Sequence, residues 1–144
     1  MTIADIIAKL DSLKPNTYTV SEKIRWLSEL DFDLYNYIFQ NFCMPNDWYT
    51  RFIPTGEEKP QFPFLGYDET DSLPTSETMQ TEVVVNDKAF VDMYIMYLSA
   101  KIDYYNRETA SYNNNMVMYN DEYERWKAFM NKTYKAKPIF LRTR

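Results

Sequence analysis

The stretch KAFVDMYIMYLSAKIDYYNRETASYNNNMVMYNDEYERWKAFMNKTY, residues 88–134, decides how this chain is built. It contains neither Gly nor Pro. Within it Val91, Ile95, Leu98, Ile102, Tyr105, Thr109, Tyr112, Met116, Tyr119, Tyr123, Trp126 and Met130 follow one another at alternating spacings of four and three, and only Thr109 is not apolar. That is a heptad seam, the pattern one helix presents to another along its length. Asn86 or Asp87 can cap its start, and Pro138 lies beyond its end. An unbroken helix from Lys88 to Tyr134 would be about 70 Å long at 1.5 Å per residue. The alternative is two helices in phase, split at Asn106 or at Asn113-Asn114-Asn115, because Asn is a poor helix former. The expectation adopted is one long helix, straight or kinked. Such a rod exceeds the diameter of a compact chain of this size, roughly 30–40 Å. Its aromatic seam would then need a partner chain. Ile95, Leu98, Ile102, Tyr105, Tyr112, Met116, Tyr119, Tyr123 and Trp126 are accordingly expected at a subunit interface.

Upstream, two shorter helices are expected in residues 1–42. Thr2 and Asp5 resemble a capping pair, and Ile3, Ile6, Ile7, Leu10 and Leu13 share one helical face before Pro15 and Asn16 end the run. Thr19 and Glu22 have the spacing of a capping box, and Ile24, Leu27, Leu30, Leu34, Ile38 and Phe42 follow at helical intervals before Pro45.

Residues 43–86 differ in kind. They hold both glycines and five of the seven prolines, which argues against helix over most of the stretch. They also carry Trp48, Tyr49, Phe52, Phe62, Phe64, Leu65 and Tyr67, too many large apolar side chains for a free linker. The insertion is expected to fold back over the helices or onto a neighbouring subunit, with Glu82-Val83-Val84-Val85 as a short strand. The acids Asp68-Glu69-Thr70-Asp71 do not form a calcium loop: Leu73 and Met79 stand where a Gly and a Glu are required.

Charge divides the chain. Residues 1–124 carry nine Lys and Arg against 21 Asp and Glu, whereas residues 125–144 carry seven basic residues and no acid. An acidic body with a basic tail points to contact between copies or with an acidic partner; a basic last turn completing the helix dipole accounts for the same residues. The end of the tail, Lys137, Pro138, Ile139, Phe140, Leu141, Arg142, Thr143 and Arg144, places three apolar residues between basic ones. Such an arm can insert into a groove, add to a sheet edge or pack on its own domain.

The absences bear on chemistry. There is no His, which removes the usual base near neutral pH and the commonest zinc ligand. Two Gly, Gly56 and Gly66, cannot build a phosphate-cradling loop. No catalytic, cofactor-binding or metal-ligating residue is identified, no cofactor is expected, and the protein is expected not to be an enzyme. The lone Cys43, between Phe42 and Met44, reads as a packed small hydrophobe. No apolar run reaches the roughly 18 residues of a membrane span, and the first residues lack a signal-peptide pattern. A soluble protein made in the cytoplasm is expected.

Ala100-Lys101-Ile102-Asp103-Tyr104-Tyr105-Asn106, then Tyr112-Asn113-Asn114 and Met116, together with Asp92-Met93-Tyr94-Ile95, Pro15-Asn16-Thr17-Tyr18 and Lys23-Ile24-Arg25-Trp26-Leu27-Ser28-Glu29-Leu30-Asp31, resemble small proteins from the head-assembly segment of tailed bacteriophages and prophages. These are associated with the helical head–tail connector (portal adaptor) proteins of the phage neck. The resemblance covers roughly residues 1–40 and 85–135, and only loosely Gly66-Tyr67-Asp68 and Thr70-Asp71. It is one of composition and order, without catalytic motifs. Its members often carry Gly where this chain has Arg107, a departure taken to favour an uninterrupted helix. The resemblance implies a virion protein: a ring of identical subunits, commonly twelve, docked under the portal protein. The ring would extend the channel through which DNA passes without specific binding, and present a platform for the next neck or tail protein. It also implies that Lys137, Pro138, Ile139, Phe140, Leu141, Arg142 and Arg144 form a portal-docking arm. A helical assembly chaperone or interaction adaptor outside the virion is the alternative.

The expected architecture is thus mainly α in a single domain over 1–144: two N-terminal helices (1–42), an extended insertion (43–86), a long helix (87–134) and a C-terminal arm (135–144).

Overall fold

The computed structural model of the protein describes residues 1–52 and 79–138. Helix α1 spans Ile3–Leu13 and α2 spans Val20–Asn41. Each begins with a capping box, Thr2 with Asp5 and Thr19 with Glu22, so that hydroxyl and carboxylate each take a backbone N–H the helix leaves unpaired. A two-residue strand β1 (Phe42–Cys43) follows, then a short helix α3 (Asn46–Phe52). After residue 79 comes an extended segment, a 3₁₀ turn at Lys88–Phe90 capped by Asp87, helix α4 (Val91–Tyr105), helix α5 (Thr109–Thr133) and strand β2 (Lys135–Ala136). The strands pair antiparallel, Phe42 opposite Ala136 and Cys43 opposite Lys135.

The expected single rod is therefore two helices, split at Asn106 as the alternative reading had it. The chain reverses at Asn106-Arg107-Glu108, where Arg107 has φ 61°. Glu108 N–H donates to Asp103 O (2.9 Å) and Arg107 N–H to Tyr104 O (3.2 Å). Those two bonds are a Schellman motif, which satisfies the last carbonyls of a helix and requires a left-handed residue, ordinarily Gly, just beyond the cap. Arg107 fills that position. The residue read as favouring a continuous helix is the one that stops it. The alternative split at Asn113-Asn114-Asn115 does not occur, since all three lie inside α5.

Ring and polar contacts give the hairpin its register. Tyr104 meets Tyr112, Asp103 meets Asn115, Tyr97 meets Tyr119 and Phe90 meets Phe129. One partner falls as the other rises, so α4 and α5 run antiparallel. Lys9 meets Asp92 and Lys14 meets Asp103, so α1 runs parallel to α4. Tyr18 Oη donates to Asn106 and Tyr105 stacks on Trp26, so the start of α2 lies at the same end as the hairpin turn. Helices α1, α2, α4 and α5 thus run up, down, up and down. The 13–19 and 106–108 turns form one end, the tip. The 81–90 segment, α3 and the β1–β2 pair form the other, the base.

Helix α4 is the centre. Eight of its 15 residues are buried, on every side of the helix, as expected of one surrounded by partners. Around it Ile3, Ile6 and Leu10 of α1, Ile24, Leu27, Leu30 and Leu34 of α2, and Trp126 and Met130 of α5 complete one hydrophobic cluster. Burying side chains of this size is worth about 1.5–3 kcal/mol each.

Two expectations for the middle region change. Residues 46–52 are helical, and Glu82–Val85 is no strand: it makes one isolated bridge, Glu82 to Thr2. Its remaining polar groups are met by side chains, as described below. Trp48 and Tyr49 do fold back, onto Tyr35 and Phe39 of α2. The rest of the expected insertion, with Phe62, Phe64, Leu65, Tyr67 and the acids at 68–71, lies outside the described residues.

Candidate functional site

The half-buried faces of α2, α4 and α5 meet in a belt of rings. Tyr97 of α4 lies 5.4 Å from Tyr119 of α5, Tyr119 stacks 5.9 Å from Tyr123, and Tyr123 lies 5.7 Å from Trp126. Tyr37 of α2 closes the belt against Trp126 at 5.6 Å. Lys127 sits 4.9 Å from the Tyr123 ring centroid and Lys101 5.6 Å from that of Tyr97, where the negative ring faces attract a cation. Burial raises the phenols of Tyr97, Tyr119 and Tyr123 above their ordinary value, so all three stay neutral donors. The belt consists of large rigid rings that each carry a polar hydroxyl or indole N–H, a composition suited to half-buried surfaces.

A second ring cluster marks the tip. Tyr104 and Tyr105, 60% and 49% exposed, join Arg107, Glu108, Thr109 and Tyr112 around a groove of about 620 Å³. Asp103 lies fully buried beneath it. Lys14 Nζ stands 2.5 Å from its Oδ1, and Asn115 Nδ2 donates to its Oδ2 at 2.5 Å. A buried carboxylate requires such partners, and these two tie α1 and α5 to the end of α4.

At the base, Asp31 of α2 is fully buried and accepts from Tyr94 Oη (2.5 Å) and Val84 N–H (3.1 Å). Tyr94 Oη in turn accepts from Val85 N–H (3.0 Å). Arg51 of α3 donates to the carbonyls of Glu82 (3.0 Å), Val83 and Val84 (3.3 Å). Val83 N–H goes to Met1 O (3.2 Å). The buried run 83–85 is thus held like a strand, with side chains as its partners. Burial pushes the Asp31 carboxyl up to about 7 against the pull of Tyr94, Val84 and Arg51. This is a structural clamp: Asp31 and Tyr94 are sealed from solvent. Among the described residues no three His, Cys, Asp or Glu side chains gather as a metal site.

The residues expected at a subunit interface separate into two groups. Ile95, Leu98, Ile102 and Trp126 are at most 1% exposed within their own chain and cannot meet another subunit in this fold. That correction follows from the hairpin: the seam of α4 closes on α5, α1 and α2. Tyr112, Met116, Tyr119 and Tyr123 are half-buried, and Tyr105 is exposed while stacking on Trp26 at 5.5 Å. The heptad reading passed over Val117 and Met118, 59% and 42% exposed on the outer side of α5. Their adjacency and lack of heptad phase hid them; the polar positions around them, Asn113, Asn114, Asn120 and Asp121, were the available signal.

The expected arm is described only at its root. Lys137 N–H donates to Asn41 O (2.9 Å), its ammonium donates to Phe39 O, and it lies 4.5 Å from the Phe39 ring centroid. Pro138 is exposed. Ile139, Phe140, Leu141, Arg142 and Arg144 lie outside the described residues. Cys43, expected to be packed, is exposed on β1. Among the described residues no helix is long and apolar enough to cross a membrane. Comparison of the chain with protein-family models, with curated proteins and with solved structures gave no match.

Proposed function

We propose that the chain is a structural subunit of a phage neck: a head–tail connector that forms a ring under the portal, extends the DNA channel and docks the next neck or tail protein. The ring is of the dodecameric order the resemblance implies. In this reading it acts in the virion, with neither catalysis nor a cofactor. The observation that carries it is α5. This helix has 25 residues, two of them fully buried, and it presents Val117 and Met118 to solvent. Exposed apolar side chains on a long helix, beside the half-buried Tyr112 and Met116, suit side-to-side contact between copies. The acidic body suits a conduit that repels phosphate. Residues 137–144 keep their assignment as the portal-docking arm. Deleting 138–144 tests it: portal binding is lost while the helical circular dichroism is unchanged, and undiminished binding contradicts the assignment.

One observation favours a second reading. The hairpin satisfies much of the aromatic seam within one chain, and a chain so satisfied can work as a monomer or dimer. A helical assembly chaperone or interaction adaptor outside the virion would look this way. It would be absent from purified particles, whereas a connector is present in multiple copies.

A further inference from the structure

We propose that the cavity at the base of the bundle, between α3, the 84–90 segment and the end of α5, docks a segment of a partner protein that presents a large apolar side chain next to a lysine or arginine. This goes beyond the neck reading and does not depend on it.

The cavity measures about 340 Å³, within the range of sites that enclose a ligand group. Its floor is apolar and buried: Ile38, Val85, Phe90, Trp126 and Met130 line it, each at most 7% exposed. Trp48 and Phe129 line it as well. Trp48 is held by its stack on Tyr35 (5.3 Å) and Phe129 by its ring contact with Phe90 (5.1 Å). Rings already fixed by their own chain need little ordering when a partner arrives. Met44 and Met130 add unbranched side chains that adapt to the shape of an anchor. Aromatic walls around a desolvated floor are the usual seat of a large apolar side chain.

The rim sets the charge. Asp47 and Asp87 line the cavity and are exposed. Each commits one oxygen to a nearby backbone N–H, Asp47 Oδ1 to Trp48 and Asp87 Oδ1 to Ala89. Neither makes an ion pair among the described residues. The cation lining the cavity, Arg51, donates to the carbonyls of Glu82, Val83 and Val84. The rim is therefore acidic, and a cation beside the apolar anchor complements it. Small-molecule sites fix their ligand with a few convergent polar groups; here the carboxylates and Asn86 stand at the exposed rim, not in the floor. Neighbouring residues of a peptide supply anchor and cation together.

The test uses the full chain, with its three Trp as reporters. Trp48 and Trp126 line the cavity, whereas Trp26 packs at the tip against Tyr18 and Tyr105. The probe is an acetylated, amidated peptide in which Phe and Leu precede two Lys. Its titration, followed by NMR, is expected to move the indole N–H signals of Trp48 and Trp126 to saturation and to leave that of Trp26 in place. Asp47→Asn/Asp87→Asn keeps both oxygen acceptors for the backbone N–H groups and is expected to weaken binding about threefold to tenfold, the scale of two exposed ion pairs. Unmoved signals from Trp48 and Trp126, equal shifts at all three Trp, or undiminished binding by the double variant overturn the proposal. So does equally tight binding of phenylethylamine, which carries ring and charge without a peptide backbone and would give the site to a small amine.

Discussion

Helices α4 and α5 carry consecutive stretches of one heptad pattern, yet they end in opposite environments. Eight of the 15 residues of α4 are buried, against two of the 25 of α5. The difference lies between the heptad positions. Helix α4 places Met93, Tyr94 and Ala100 there, apolar on its remaining sides, so it takes partners all round. Helix α5 places Asn113, Asn114, Asn120, Asp121 and Glu124 there, so only one stripe packs. A hydrophobic period thus defines a face but not its partner, and here the partner of the first half of the seam is the second half.

The sharpest way to break this contrast is by truncation. Leu98→Ala in α4 should cost about 2–5 kcal/mol, the range for a buried Leu that leaves a cavity. Val117→Ala in α5 should stay within about 0.5 kcal/mol, as at other exposed sites. Denaturant unfolding measures both, and similar losses would mean that α5 is as buried as α4.

The clamp at the base of α4 gives a pH-dependent effect. The Asp31 carboxyl is raised from 3.8 to about 7 in the fold, so folding favours its protonated form. That favourable difference is fully present below the unfolded value and is lost as pH climbs toward 7. Relative to Asp31→Asn, the stability of the wild-type protein should fall over this window by an amount on the order of a few kcal/mol. A constant difference between the two proteins from pH 4 to 8 would show that Asp31 titrates normally.

Asn115 sharpens the comparison where the two helices touch. Asn115→Ala removes a donor from the buried Asp103 and should cost about 1–3 kcal/mol in thermal or denaturant unfolding. Asn114→Ala, one residue away and exposed, should cost almost nothing. Equal effects would remove the assigned role of Asn115.

The smallest expected effect separates hairpin from rod by its sign. Arg107→Gly relieves a left-handed residue and should stabilise the fold by about 0.5–1 kcal/mol. In a continuous helix the same change would destabilise it by about 1 kcal/mol.

That sign also explains what was legible in the sequence and what was not. Helix α1 and both capping boxes were visible because their signals are local: Thr2 with Asp5, Thr19 with Glu22, and an apolar face between them. The reversal after α4 was legible only as the alternative split at Asn106, and was passed over because its usual marker is Gly and this chain has Arg107. Residues 82–85 read as a strand because Val-rich runs favour extended backbone, but their partners are Asp31, Tyr94 and Arg51, distant in sequence and of polar types usually found on surfaces. The candidate surface was half legible for a related reason. Periodicity found Tyr112, Met116, Tyr119 and Tyr123 together with core residues of the same phase, and burial alone distinguishes Tyr119 from Trp126.

If the chain assembles as proposed, the outer side of α5 is the contact surface. The most direct test is the native mass of the purified protein, alone and with the portal protein of the proposed neck, compared with a Val117→Glu/Met118→Glu variant. The account predicts a multi-subunit ring, free or formed on the portal, and a monomer of unchanged helicity for the variant. A wild-type protein that stays monomeric and indifferent to the portal would contradict it.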